Sequence, residues 1–201
     1  MSKKTLSLYN FILLIDKSGS MSKPGTSGKP RWTEAQETTE ALARKAETFD
    51  TDGITVIPFA STYKTYDGVT ADKVAQIFAE NEPNGSTNTA AALQYVFDAY
   101  LSGGRAKPIL VVVVTDGAPD DESAVKNAIR QFAAQLSDNG TGDTDEAGIL
   151  FLQVGDDPGA RAFLQELDDG LDAQFDIVDT RTMAELEGMT LTDALLAALD
   201  D

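Results

Sequence analysis

The chain has 201 residues, with 16 Lys+Arg against 33 Asp+Glu, a formal charge of −17, and neither His nor Cys. Without Cys there is no disulfide framework, thiolate-held zinc, iron–sulfur cluster or thiol nucleophile; without His there is no Ser-His-Asp triad and no imidazole ligand or base. Hard, oxygen-ligated chemistry remains, of the Mg²⁺, Mn²⁺ or Ca²⁺ kind, and the acidic balance disfavours nucleic acid as a partner.

Residues 6–15 (LSLYNFILLI) form the first expected strand, wholly apolar at its end as a buried central strand is. Residues 33–49 read as a helix, with Thr33 and Gln36 as a capping box and Ala35, Leu42, Ala46 and Phe49 on one apolar face. Asp52-Gly53 is a turn, residues 54–59 a second strand, and the short polar and aromatic segment 62–66 an edge strand. Val74, Ile77 and Phe78 mark a short amphipathic helix, the loop 82–86 follows, and a further helix runs from about Thr89 to Leu101.

Residues 109–114 (ILVVVV) carry the strongest buried-strand signal of the chain. A helix at 122–136 follows, then a turn-rich surface loop at 137–146 whose acids, Asp143 to Glu146, are expected to be solvated. Residues 149–154 are a strand, 158–167 a helix, 175–178 a strand and 191–199 a closing helix. The alternation predicts a mostly parallel sheet with helices on both faces, one domain over the whole chain. No apolar run approaches the roughly 18 residues of a membrane helix and no cleavage site follows the basic start, so a cytoplasmic protein without membrane contact is expected.

Open α/β sheets bind ligands at the carboxyl ends of their strands. The first strand is followed by Asp16-Lys17-Ser18-Gly19-Ser20 and the fourth by Thr115-Asp116-Gly117, while Thr87-Asn88-Thr89 stands at a helix start between them. In an extended segment Asp16, Ser18 and Ser20 can point to one side, and Gly19 permits a tight turn. If the first and fourth strands are neighbours, two carboxylates and several hydroxyls converge on one crevice. Two carboxylates leave a divalent cation partly satisfied, so an anionic oxygen from outside can complete its shell.

The pattern Asp16-x-Ser18-x-Ser20, Thr87, Asp116-Gly117, each at a strand or helix end, resembles the von Willebrand factor A domain family and its metal-ion-dependent adhesion site. The resemblance covers essentially the whole chain. It implies a Rossmann-like, doubly wound, six-stranded α/β sheet, mostly parallel with one antiparallel edge strand. It also implies Ser18, Ser20 and Thr87 as hydroxyl ligands, Asp16 and Asp116 as direct or water-mediated ligands, and Mg²⁺ or Mn²⁺ as the ion, with Ca²⁺ behind them. The function implied is not catalytic: a protein partner offers an Asp or Glu carboxylate to the ion. Thr89 is expected to cap its helix. A narrower similarity, through Phe49-Asp50-Thr51-Asp52-Gly53, residues 151–155 and residues 163–169, is to bacterial intracellular proteins of tellurium-resistance and stress operons, the TerF-like group.

Rival motifs fail on spacing. Gly28-Lys29 lacks the Gly at 23 and the Ser or Thr at 30 that a P-loop requires, and Ser20-x-x-Lys23 has no later Lys for a K-T-G element. An Asp nucleophile at position 16 would want a second acid near Ser18. A metal-dependent hydrolase using an activated water is the alternative of a different class. Asp120, Asp121 and Glu122 read as helix-start acids, Asp156-Asp157-Pro158 as a turn, and Trp32 as a packing residue. The acid-free stretch 22–31 carries Lys23, Lys29 and Arg31, expected as a basic rim that draws an acidic partner towards the cation.

Overall fold

The computed structural model describes residues 5–49 and 53–200. Asp50, Thr51 and Asp52, on which the expected turn and part of the narrower similarity rest, lie outside them. In chain order the elements are β1 (Asn10–Asp16), α1 (Arg31–Ala46), β2 (Ile54–Phe59), β3 (Tyr66–Val69), α2 (Ala71–Glu80), α3 (Thr89–Ser102), β4 (Ile109–Thr115), α4 (Glu122–Ala133), β5 (Ala147–Gln153), α5 (Pro158–Asp169), β6 (Val178–Thr182), α6 (Met183–Glu187) and α7 (Leu191–Asp200). The strands form one sheet in the order β3-β2-β1-β4-β5-β6. All neighbours are parallel except β2 and β3.

The alternation of side chains along β4 builds both halves of the core. Val111 and Val113 face Leu93, Phe97, Ile129, Phe132 and Leu164 of α3, α4 and α5. Leu110, Val112 and Val114 belong to the cluster with Leu42, Ile77 and Leu195 of α1, α2 and α7. Every residue of β4 and β5 is buried, which is why both read as continuous apolar runs. Phe97 stacks on Phe132 at 4.0 Å between ring centres, joining α3 to α4. Trp32 packs at 4.3 Å on Phe78 of α2, a packing contact as its place at a helix entry suggests.

Several borders move. Residues 6–8 are a 3-10 turn, because β1 has no partner there: its pairing with β4 begins at Asn10 opposite Ile109. α1 starts at Arg31, and Thr33 lies inside its first turn, its N–H on the Pro30 carbonyl, so no Thr33 capping box forms. The edge strand is β3, Tyr66–Val69, and not 62–66. Backbone bonds from Ala60 to Thr62 and from Lys64 to Pro58 fold that segment into a turn. The last strand pairs through Val178–Thr182; Phe175 and Ile177 are a buried lead-in. Helix α6 was not anticipated; Thr182 and Glu185 form its capping box.

The sheet's outer edge at β6 is closed chemically. Alternate amides of an edge strand face away from the sheet. The Thr180 N–H donates to Asp168 at 3.0 Å and the Thr182 N–H to Glu185 at 2.6 Å.

Candidate functional site

β1 and β4 are adjacent, so the residues that leave their carboxyl ends share one crevice. Asp16 is the last residue of β1 and Asp116 follows the last residue of β4; they are 0% and 1% exposed. From β1 the chain enters a 3-10 turn, Gly19–Ser22, anchored by the fully buried Met21. That turn carries Ser18 and Ser20 past the two carboxylates.

A continuous hydrogen-bond chain results. One Asp16 oxygen accepts the Ser18 N–H at 2.7 Å and the other accepts the Thr115 hydroxyl at 2.7 Å. The Ser18 and Ser20 hydroxyls are 3.0 Å apart, and Ser20 donates to Asp116 Oδ1 at 2.8 Å. The second Asp116 oxygen takes Arg31 Nη1 at 2.6 Å. Desolvation pushes the Asp16 carboxyl up to about 6, against the lowering pull of the Thr115 and Ser18 bonds, and Asp116 adds to the push.

Thr87 is half-buried, and among the described residues its hydroxyl has no hydrogen bond to the other four. Its loop is laced into the crevice by backbone bonds: Asn84 N–H to the Lys17 carbonyl, Gly19 N–H to that of Gly85, and Asn88 N–H to that of Ala60. Asp120 clamps it from the β4 side. Its carboxylate accepts the Thr87 N–H at 3.0 and 3.1 Å, and its own N–H donates to the Thr87 carbonyl. Asn88, not Thr89, caps α3 by accepting the Ala91 N–H; Thr89 already has helical hydrogen bonding and is buried. Asp121 and Asp157 cap α4 and α5 in the same way.

The stretch from Lys23 to Arg31 is a closed hairpin, with Pro24 bridging Pro30, Arg31 N–H on the Lys23 carbonyl and Gly25 N–H on that of Lys29. Glu34 of α1 clasps it, accepting both the N–H and the hydroxyl of Ser27 at 2.8 and 2.5 Å. Of the three expected rim cations, Lys23 is exposed, Lys29 is exposed and paired with Glu37 at 2.5 Å, and Arg31 turns inward to Asp116 with its side chain 14% exposed. Two roles are not legible in the sequence: that of Thr115, which orients Asp16, and that of Asp120, which holds the Thr87 loop. Neither spacing nor composition singles out a hydroxyl or helix-start acid for such a task.

The donor set suits a hard divalent ion. It offers carboxylate and hydroxyl oxygens, and among the described residues no Lys or Arg pairs with buried Asp16. Among the described residues no group of three or more His, Cys, Asp and Glu is placed to hold a metal, so any such ion depends on the hydroxyls.

The family model described as von Willebrand factor type A domain matches residues 11–119, a span that runs from β1 past Asp116. No curated protein matches the chain. Among solved structures, the chain is similar to the manganese-loaded TRAP protein of Plasmodium vivax, with TM-score 0.62 and 16% identity, over 91% of this chain and 72% of that one. It is also similar to the PilB minor pilin of Streptococcus sanguinis, with TM-score 0.61 and 14% identity, over 96% of this chain and 60% of the pilin. A von Willebrand factor type A structure from Catenulispora acidiphila gives TM-score 0.59 and 17% identity, over 95% of this chain and 42% of that one. The chain thus spans less than two thirds of the pilin and of the Catenulispora protein.

Proposed function

Since the chain belongs to the von Willebrand factor type A domain family, we propose that it is a cation-dependent protein-binding module. The observation that carries this reading is the pair of buried carboxylates, Asp16 and Asp116, linked through the Ser18 and Ser20 hydroxyls at the mouth of the β1–β4 crevice. Asp16, Ser18, Ser20, Thr87 and Asp116 would hold the ion, Mg²⁺ or Mn²⁺ before Ca²⁺. When bound, the ion supplies an open coordination position for an Asp or Glu carboxylate of a protein partner. Thr115 and Asp120 act as positioning residues, the first holding the Asp16 carboxylate and the second the Thr87 loop. Lys23, exposed at the hairpin base, would attract an acidic partner segment, with Lys29 beside it.

Two similar structures support the reading, one titled manganese-loaded, which favours a divalent cation, and one named a minor pilin. The hydrolase alternative would use the same ion site and gains no observation of its own. The resemblance of its sequence to intracellular stress-operon proteins supports a bacterial cytoplasmic setting for the module, which fractionation of the native host tests. Among the described residues no helix is long and apolar enough to cross a membrane.

The test is a pull-down from host lysate in Mg²⁺, in EDTA, and with Asp16→Ala in Mg²⁺. A partner retained only by the wild type in Mg²⁺ is expected. One retained equally in all three conditions overturns the cation bridge.

A further inference from the structure

The ion pair between Arg31 and Asp116 is built unlike a permanent structural pair. A guanidinium that stays buried usually binds a carboxylate through two parallel N–H groups and leaves no buried donor unpaired. Here one nitrogen, Nη1, meets Asp116 at 2.6 Å, and the buried Nε has no hydrogen-bond partner among the described residues. The guanidinium packs against Gly155, where an added Cβ would come within 2.7 Å of Nε.

One turn further along α1, Glu34 shows the complementary defect. It is 6% exposed; one oxygen holds Ser27, and the other, Oε2, is buried against Gly25 without a partner among the described residues. Residues three apart on a helix are surface neighbours. Among the described residues there are therefore a buried donor lacking an acceptor and a buried acceptor lacking a donor, three positions apart on one helix. Each unmet group carries a desolvation cost that their meeting would remove.

We propose that Arg31 is a displaceable internal counter-ion. It neutralises Asp116 while the site holds no metal, and it moves from Asp116 to Glu34 when Asp116 is needed as a ligand. The inference rests on the cation-site reading above. It assigns Arg31 a gating task in place of a rim position, and Glu34 the task of receiving it. The exchange makes cation affinity a property of α1 as well as of the ligands. Apparent affinity falls by the fraction of molecules in which Asp116 is free of Arg31, so a pair closed in nine molecules of ten weakens binding about tenfold.

The experiment titrates the purified full chain with Mn²⁺ alone, reading free Mn²⁺ by electron paramagnetic resonance, for the wild type, Arg31→Met, Glu34→Gln and the double variant. Met retains the packing of the Arg stem without the charge. Arg31→Met should bind about tenfold more tightly than the wild type and Glu34→Gln about tenfold more weakly; Glu34→Gln should have no effect in the Arg31→Met background. Binding by Arg31→Met alone, with none by the wild type, supports the gate in its strongest form. Equal or weaker binding by Arg31→Met overturns the counter-ion. An equal Glu34→Gln effect in both backgrounds overturns the receiving role. Absence of binding in all four proteins overturns the cation site itself, and the gate with it. The Arg31 Nε–H resonance of the isotopically labelled wild type, followed with and without Mg²⁺, needs no variant to fold. It should shift on adding Mg²⁺, and an unchanged resonance in protein that binds the ion overturns the exchange.

Discussion

Asp16 sits fully buried at the end of β1, so its charge must be met by whatever ends β1 and β4. Thr115 and the Ser18 amide do this, one for each oxygen. Thr115→Val keeps the shape and removes one donor, leaving a buried carboxylate oxygen less satisfied. The expected loss is about 1–3 kcal/mol, and thermal melts should show a drop of roughly 2–4 °C per kcal/mol in a chain of this size. An unchanged melt would mean that Thr115 does not support Asp16. At this scale the sequence is informative where chemistry is local. Strand ends and hydroxyls two apart point to Asp16, Ser18 and Ser20 without any tertiary knowledge. Arg31 is a different case. Its partner lies 85 residues away, and its reach into the crevice depends on a helix starting at Arg31 and on Gly155 lacking a side chain. No local pattern contains either condition.

The expected helices and the central strands stand close to their expected places because their apolar runs are long and both faces of the sheet are covered. The misplaced strand borders lie where pairing partners rather than propensity decide the ends, and α1 starts before Thr33, at Arg31. The segment 137–146 shows the same dependence. Its acids read as solvated, yet Glu146 pins three connections together. It accepts the Ser137 N–H at 2.9 Å and the Tyr100 hydroxyl at 3.0 Å, and it pairs with Arg105 at 3.4 Å. Burial raises the Glu146 carboxyl, but the bonds from Ser137 and Tyr100 and the Arg105 charge outweigh it and leave the group below its ordinary 4.5. A carboxyl held low stabilises the fold above its ordinary value, and the contribution fades as pH falls through the lowered one. Glu146→Gln should therefore lower the melting temperature at neutral pH by about 2–4 °C, for roughly 1 kcal/mol. Melts across a pH series should show the gap begin to close below 4.5 and vanish once the pH has fallen through the lowered value. A gap that persists in acid would assign the effect to packing.

Across the whole molecule, the proposed chemistry gathers at the carboxyl end of the sheet, and the charge of −17 opposes the close approach of copies. The β6 edge is defended separately, by Asp168 and Glu185 on the Thr180 and Thr182 amides. Replacing both acids with Ala exposes two unpaired donors on a parallel edge, an open template for another strand. Sedimentation should then show concentration-dependent association in the double variant and not in the wild type; identical profiles would place the protection elsewhere. This defence was invisible in the sequence, where Asp168 is a helix-end acid and α6 was not expected at all. The hairpin that leads into α1 has a practical consequence of another kind. It is clasped at its base and at Ser27, its Thr26 is exposed, and the chain contains no Cys. Thr26→Cys would be the sole thiol in the protein, so a fluorophore or spin label attached there would report on the neighbourhood of Glu34 and Arg31 with no competing site of attachment.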